Sequence, residues 1–305
     1  MPEEVRFASG DGECAGTLYR PAAASLGRTP CVVMANGVSM TRRDGIPRFA
    51  KRFADSGIAA LAFDFRHLGD SDGRPRQLVD VDLHRADFGA AVELARSIQG
   101  VDDRRVAVWG FSLGGGVALA TAIEDPGVAA AVLLCPIVDV LAFALAGDAR
   151  NNVRLFGAAL RALARRQKSR LPLTGPPGTT VLFTQPEAAP GFEAVKGEGS
   201  LWSDEIRFDP ARPATRLRPA RSARRVRCPL MVCLGLEDTI VPARPIERTA
   251  SEAPRGELRR YPIGHFTPFL DGFDAVASDQ AEFLTRHLAP RGSSPATAAE
   301  VDWRA

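Results

Sequence analysis

Residues 105–116 constrain this chain more than any other stretch. Arg105-Val106-Ala107-Val108-Trp109 reads as a strand and runs directly into Gly110-Phe111-Ser112-Leu113-Gly114, with helix-forming residues beyond. A chain that passes from strand to helix within one or two residues strains the backbone at the turning point. Neighbours without side chains then let strand and helix pass closely. A serine at that apex is held at the C-terminal edge of a sheet, and the following helix start supplies N–H groups for a developing negative charge. Ser112 is therefore the candidate nucleophile.

The rest of the chain supplies the sheet that this turn needs. Val5–Phe7 and Gly16–Tyr19 around Gly10-Asp11-Gly12 predict an antiparallel hairpin. Buried strands are expected at Cys31–Ala35, Ala59–Asp64, Arg105–Trp109, Ala129–Leu134 and Pro229–Leu234, and another at about 256–261. Helices are expected between them at about 44–56, 80–98, 113–124, 243–252 and 272–288. In 80–98 the spacing of Leu83, Ala86, Ala90, Leu94 and Ile98 predicts the buried face. Such alternation argues for an α/β protein with a parallel sheet covered on both faces.

The alternation stops after Pro136 and resumes at Pro229. The intervening 139–226 stretch is rich in proline and arginine and net basic, while the remainder of the chain is net acidic. It holds one amphipathic helix, about 150–166, and reads as a cap inserted between two sheet strands. The division expected is a core from 1–138 and 227–289, a cap from 139–226 and a disordered tail from 290–305.

Composition removes several classes. The 305 residues carry a net charge of only +3, too little to argue for nucleic acid. No apolar run approaches the length of a membrane span, and no basic-then-apolar leader opens the sequence. The five cysteines are odd in number and sit in apolar strand-like runs, as reduced buried thiols do, which points to the cytoplasm; none is spaced like a zinc site. Neither a metal nor an organic cofactor is called for.

A serine hydroxyl needs a base within hydrogen-bond reach. Among four histidines, His265 follows the last expected strand and can reach back over the sheet. His67, in the loop after an earlier strand, is the competitor, and His84 and His287 lie on helices as surface or capping residues. For the acid that orients the imidazole, Asp238 follows the strand Pro229–Leu234 directly, with Glu237 and Asp139 as alternatives. The order Ser, Asp, His is the one this chemistry takes on such a sheet. The backbone N–H groups of Val38 and Leu113 are the expected oxyanion donors, and Asn36, Phe111, His67 and Phe266 are candidates to line the substrate pocket.

These residues together resemble the α/β-hydrolase superfamily over nearly the whole chain. Gly110-x-Ser112-x-Gly114, Gly235-x-x-Asp238-x-x-Val241-Pro242 and Gly264-His265-Phe266 match in order and spacing. Asp64-Phe65-Arg66-His67-Leu68-Gly69-Asp70-Ser71-Asp72-Gly73 and the run Arg221–Pro229 are similar to capped dienelactone-hydrolase-like members. Those include fungal polyketide transferases, which move an acyl chain from a carrier protein to an alcohol. The resemblance implies an α/β-hydrolase fold with a mostly parallel eight-stranded sheet flanked by helices. It also implies a serine hydrolase acting on an ester or thioester of a small or polyketide-like metabolite through an acyl-enzyme. Asn36 departs from the family's usual histidine and His67 from its usual small residue. Arg66 is expected to pair with a nearby acid. The alternatives are an acyltransferase or thioesterase taking its acyl chain from a carrier protein or coenzyme A at the basic cap, and a lyase-like enzyme eliminating an acyloxy group. An intact triad argues against a non-catalytic binder. The exposed cap leaves room for a homodimer.

Overall fold

The computed structural model describes residues 2–22, 28–165, 168–176 and 178–290. In chain order the elements begin with β1 (Glu3–Ser9), β2 (Gly12–Tyr19), β3 (Thr29–Ala35), α1 (Ile46–Asp55), β4 (Ala59–Phe63), α2 (Val81–Ser97), β5 (Val101–Phe111), α3 (Leu113–Glu124) and β6 (Ala131–Leu134). The 139–226 stretch contributes α4 (Val140–Ala146), α5 (Ala149–Ala164), β7 (Ser169–Pro172), α6 (Ala188–Ala194), β8 (Glu205–Phe208) and two short 3-10 turns. The sheet then resumes with β9 (Leu230–Gly235), α7 (Ala243–Glu252), β10 (Gly256–Tyr261) and α8 (Phe273–His287).

Eight strands form one sheet in the order β1-β2-β4-β3-β5-β6-β9-β10, antiparallel at the β1-β2 and β2-β4 pairs and parallel elsewhere. This is the α/β-hydrolase architecture. The parallel register brings the strand ends to one rim: Ala35 lies opposite Gly110, Phe111 opposite Leu134, Leu134 opposite Cys233 and Gly235 opposite Tyr261. Strands buried on both faces, such as β4 and β6, are uniformly apolar, as a sheet covered by helices requires. The tail assigned to 290–305 lies outside the described residues apart from Pro290. Among the described residues no helix is long and apolar enough to cross a membrane.

The buried face of α2 is rotated from the one its spacing predicts. Ala86 is exposed, and Val81, His84, Asp87, Phe88, Ala91, Val92 and Ala95 are inside. The reason is that two polar residues occupy the core side, where a pattern built from leucine and alanine does not look for them. Asp87 accepts the Arg66 Nε at 2.6 Å, the Arg66 backbone N at 2.9 Å and the Ser9 hydroxyl at 2.6 Å. Arg66 thus pairs with a neighbouring acid, and its guanidinium also reaches Asp11. The rest of the Asp64–Gly73 stretch is a knot of the same kind. Ser71 donates to the Asp64 carbonyl at 2.6 Å and accepts from Ala15 N at 2.8 Å, and the Asp64 carboxylate accepts from the backbone of Arg42 and Asp70 and from the buried Arg42 guanidinium.

His84 is a core residue rather than a surface or capping one. Its ring stacks on Phe65 at 4.2 Å between centroids, and neither ring nitrogen has a hydrogen-bond partner. Burial lowers its pKa to about 3, with His67 and Arg66 adding to the effect. The unfolded chain takes up a proton here below an ordinary value of about 6.5, which the native core refuses until far lower pH. Stability therefore falls as pH drops from 6.5 toward 3, by about 1.4 kcal/mol per pH unit from this group. His84→Phe keeps the stack and is expected to flatten that acid-side loss. Urea midpoints for both proteins at neutral and mildly acidic pH check it; equal slopes would contradict it.

Candidate active site

Ser112 sits between the end of β5 and the start of α3 at φ 53°, ψ −120°, a conformation that costs an ordinary side chain energy. Packing holds it there. Ser112 N donates to Leu134 O of the next strand at 3.0 Å, and its own carbonyl accepts from Ile137 N at 2.8 Å. The helix start passes so close to the loop after β3 that a Cβ on Gly114 would lie 2.3 Å from Asn36 O. Only glycine fits that contact.

Three side chains from three strand ends then meet. His265 Nε2 lies 3.1 Å from Ser112 Oγ, and His265 Nδ1 lies 2.7 Å from Asp238 Oδ2. The other carboxylate oxygen of Asp238 accepts the backbone N–H groups of Ile240 at 2.8 Å and Val241 at 2.9 Å. A carboxylate bound in this way is fixed in orientation and stays an acceptor for the imidazole. The alternatives are engaged elsewhere. Glu237 is exposed, Asp139 caps α4 and pairs with Arg218 at 2.9 Å, and His67 Nδ1 contacts Pro75 O at 2.9 Å. His287 packs edge-on against Phe283 near the end of α8.

The loop after β3 lies beside the serine: a Cβ on Gly37 would be 3.1 Å from Ser112 Cβ. Val38 and Leu113 are both buried there. Asn36 is turned into this loop instead of outward. Its amide donates to Thr41 O at 2.8 Å and Asp44 O at 2.7 Å while its carbonyl oxygen accepts Gly37 N at 2.9 Å. Both amide protons are thereby committed to shaping the loop. Phe111 lies under the imidazole, 4.7 Å from it and 4.8 Å from Phe269. Phe266 links His265 at 5.1 Å to Phe192 of the 139–226 segment at 4.9 Å. His67 stays in its own loop, where Gln77 N donates to His67 O. Burial lowers the His67 pKa.

Cys135 follows β6 and brings its sulfur near Asp238 and His265, all three potential ligand atoms lying within 4.8 Å of one another. Burial and the Asp238 charge push this thiol well above its ordinary pKa, and both imidazole nitrogens already face hydrogen-bond partners. Cys135 is thereby kept as a thiol beside the pair, and the imidazole has no free nitrogen to offer an ion.

The residue that sequence reasoning missed is Glu187. It lies just before α6, far from the sheet in the chain, yet its carboxylate accepts Thr239 N at 2.9 Å, the Thr239 hydroxyl, and His265 N at 3.4 Å. It thus joins the loop of Asp238 to the loop of His265. No local pattern marks such a residue, because its partners are set by how the segment folds back. Further ties hold that segment over the rim: Ser39 Oγ donates to Ser203 O at 2.7 Å, and Arg43 donates to Gly199 O at 2.7 Å. Ser112 and His265 are left only 3% and 2% exposed.

The sheet, the strained serine turn and the residues at the rim define an α/β-hydrolase of the serine-hydrolase type. The chain belongs to the family described as serine aminopeptidase, S33, whose model matches residues 30–265. It is 36% identical to the quorum-quenching protein AidA of Acinetobacter baumannii, over 93% of this chain and 95% of that protein. It is 35% identical to the thiohydrolase aneE of Aspergillus aculeatus, over 45% of this chain and 42% of that one. The crystal structure of the α/β-hydrolase GrgF from a Penicillium species superposes with a TM-score of 0.78 at 23% identity, covering 95% of this chain and all of that one.

Removing the Glu187 carboxylate leaves Thr239 N and His265 N without their acceptor. Hydrogen bonds to a charged group contribute about 1.5–3 kcal/mol. Glu187→Ala is therefore expected to speed amide exchange in 236–242 and 263–267 by about tenfold or more. Exchange mass spectrometry reads it, and unchanged protection would show that the carboxylate holds neither loop.

Proposed function

We propose that this protein cleaves an ester or thioester of a small metabolite by acyl transfer through Ser112, with 139–226 acting as a cap over the site. The observation that carries the reading is the unbroken contact from Asp238 through His265 to Ser112, built on a serine in a strained strand-to-helix turn. His265 Nε2 takes the hydroxyl proton as Oγ attacks the carbonyl carbon, and Asp238 stabilises the imidazolium through Nδ1–H. The carbonyl oxygen becomes an oxyanion beside the N–H groups of Val38 and Leu113, each worth on the order of 3 kcal/mol in the transition state. Collapse expels the alcohol or thiol with the proton returned from His265. Water, or a second alcohol, then attacks the acyl-enzyme by the reverse route. The names of relatives support a thiol leaving group and an acceptor other than water, since they include a thiohydrolase and polyketide transferases.

Burial of both reacting side chains favours a second reading, in which the acyl group passes to a bound alcohol because bulk water is kept away. Its donor would be a thioester on an anionic carrier protein or coenzyme A, met by the exposed Arg216, Arg221 and Arg225. Added salt should then weaken turnover of the carried substrate but not of a neutral ester.

A fluorophosphonate probe should label Ser112 in the native chain. Labelling should vanish in Ser112→Ala and fall at least a hundredfold in His265→Ala. A panel of p-nitrophenyl esters, with and without added alcohols, reports acyl size and the share of transfer. Normal turnover of every accepted ester by Ser112→Ala would overturn the proposal.

A further inference from the structure

α5 is apolar on two sides, and the structure covers one. Asn151, Leu155, Ala158 and Ala162 face the rest of the protein. Val153, Phe156, Leu160 and Leu163, on nearly the opposite side, stand 73%, 67%, 50% and 48% exposed. Arg150, Arg154, Arg161 and Arg165 form an exposed charged side between the two apolar ones, so a membrane surface is the competing cover and the test must separate it. The uncovered stripe has spacings of three, four and three, the seam of a two-stranded helical pair.

We propose that the cover is α5 of a second copy of this chain, packed antiparallel about a two-fold axis. The stripe is self-complementary. With the axis crossing the stripe at the level of Ala158 along the helix, Val153 meets Leu163 of the partner subunit and Phe156 meets Leu160 of the partner subunit, and each contact occurs twice, as a two-fold interface demands. The flanking positions along the middle of the seam are Asn152, Gly157, Ala159 and Ala164, small and uncharged, so the helices can approach closely there, and Arg150 flanks its end. Arg154, whose guanidinium donates to Gly178 O at 2.6 Å, and Arg161 lie off the seam and exposed, where charges beyond about 8 Å are screened. Together with the exposed Leu145 of α4, the stripe offers apolar surface on the order of 500 Å². A standard interface takes roughly 800 Å² per partner, a little over half of it apolar. The arrangement is independent of the chemistry proposed for Ser112.

Sedimentation equilibrium of the full chain across a hundredfold concentration range tests this. The wild type is expected at twice the chain mass of 32.6 kDa. Phe156→Glu combined with Leu160→Glu should raise the dissociation constant at least a hundredfold, with far-UV circular dichroism unchanged. Arg154→Glu, off the seam, should leave association intact. Phe156→Cys with Leu160→Cys should form an interchain disulfide under mild oxidation, whereas Phe156→Cys alone should not, because only the antiparallel register sets 156 against 160. A monomer throughout, a dimer indifferent to the two glutamates, cross-linking by Phe156→Cys alone, or a monomer that floats with anionic vesicles would each overturn it.

Discussion

The close approach of α3 to the ends of the central strands governs everything else in this molecule. Because Gly114 has no side chain, the helix start can lie against the carbonyl of Asn36, and the loop after β3 is drawn up beside Ser112. The same packing forces the serine into its positive-φ turn and holds it there through Leu134 O and Ile137 N. The strain is local, while the contacts that retain it come from the end of β6, the neighbouring strand. A site of this kind is as rigid as the sheet beneath it.

Electrostatics at the rim follow from that geometry. Asp238 is enclosed, yet it is surrounded by donors: two backbone N–H groups on one oxygen and the imidazole on the other. Such a carboxylate is held in one orientation toward the imidazole. Aromatic rings fill the remaining space. Phe111 supports the imidazole from below, and Phe266 passes the contact on to Phe192. Glu187 completes the enclosure from above by binding the backbone next to both Asp238 and His265. The segment around Glu187 is thus tied to the loops that carry Asp238 and His265.

Elsewhere the fold spends its charged residues on internal order. Asp64, Arg42, Arg66 and Asp87 are nearly or fully buried, paired with one another or with backbone. They pin the loop after β4 and the first hairpin to the sheet. A stretch that reads as a family signature is, in this molecule, a structural knot whose partners are spread along the chain from Ser9 to Asp87.

Much of this was open to inspection in the amino-acid order alone. The alternation of apolar strands with amphipathic helices determines a covered parallel sheet, since no other arrangement buries both patterns. A serine between glycines at a strand-to-helix turn follows from backbone sterics at that point, and the order of Asp238 and His265 after later strands follows from the strand endings. These are local properties of a chain, so a chain displays them. Tertiary structure alone decided which side of α2 faces inward, where His84 and Asp87 sit inside because Arg66 and Phe65 are waiting for them. It alone turned Asn36 into its own loop, and it alone brought Glu187 back to the rim. Those outcomes depend on partners distant in the chain, and a single string of residues carries no record of which distant groups will become neighbours.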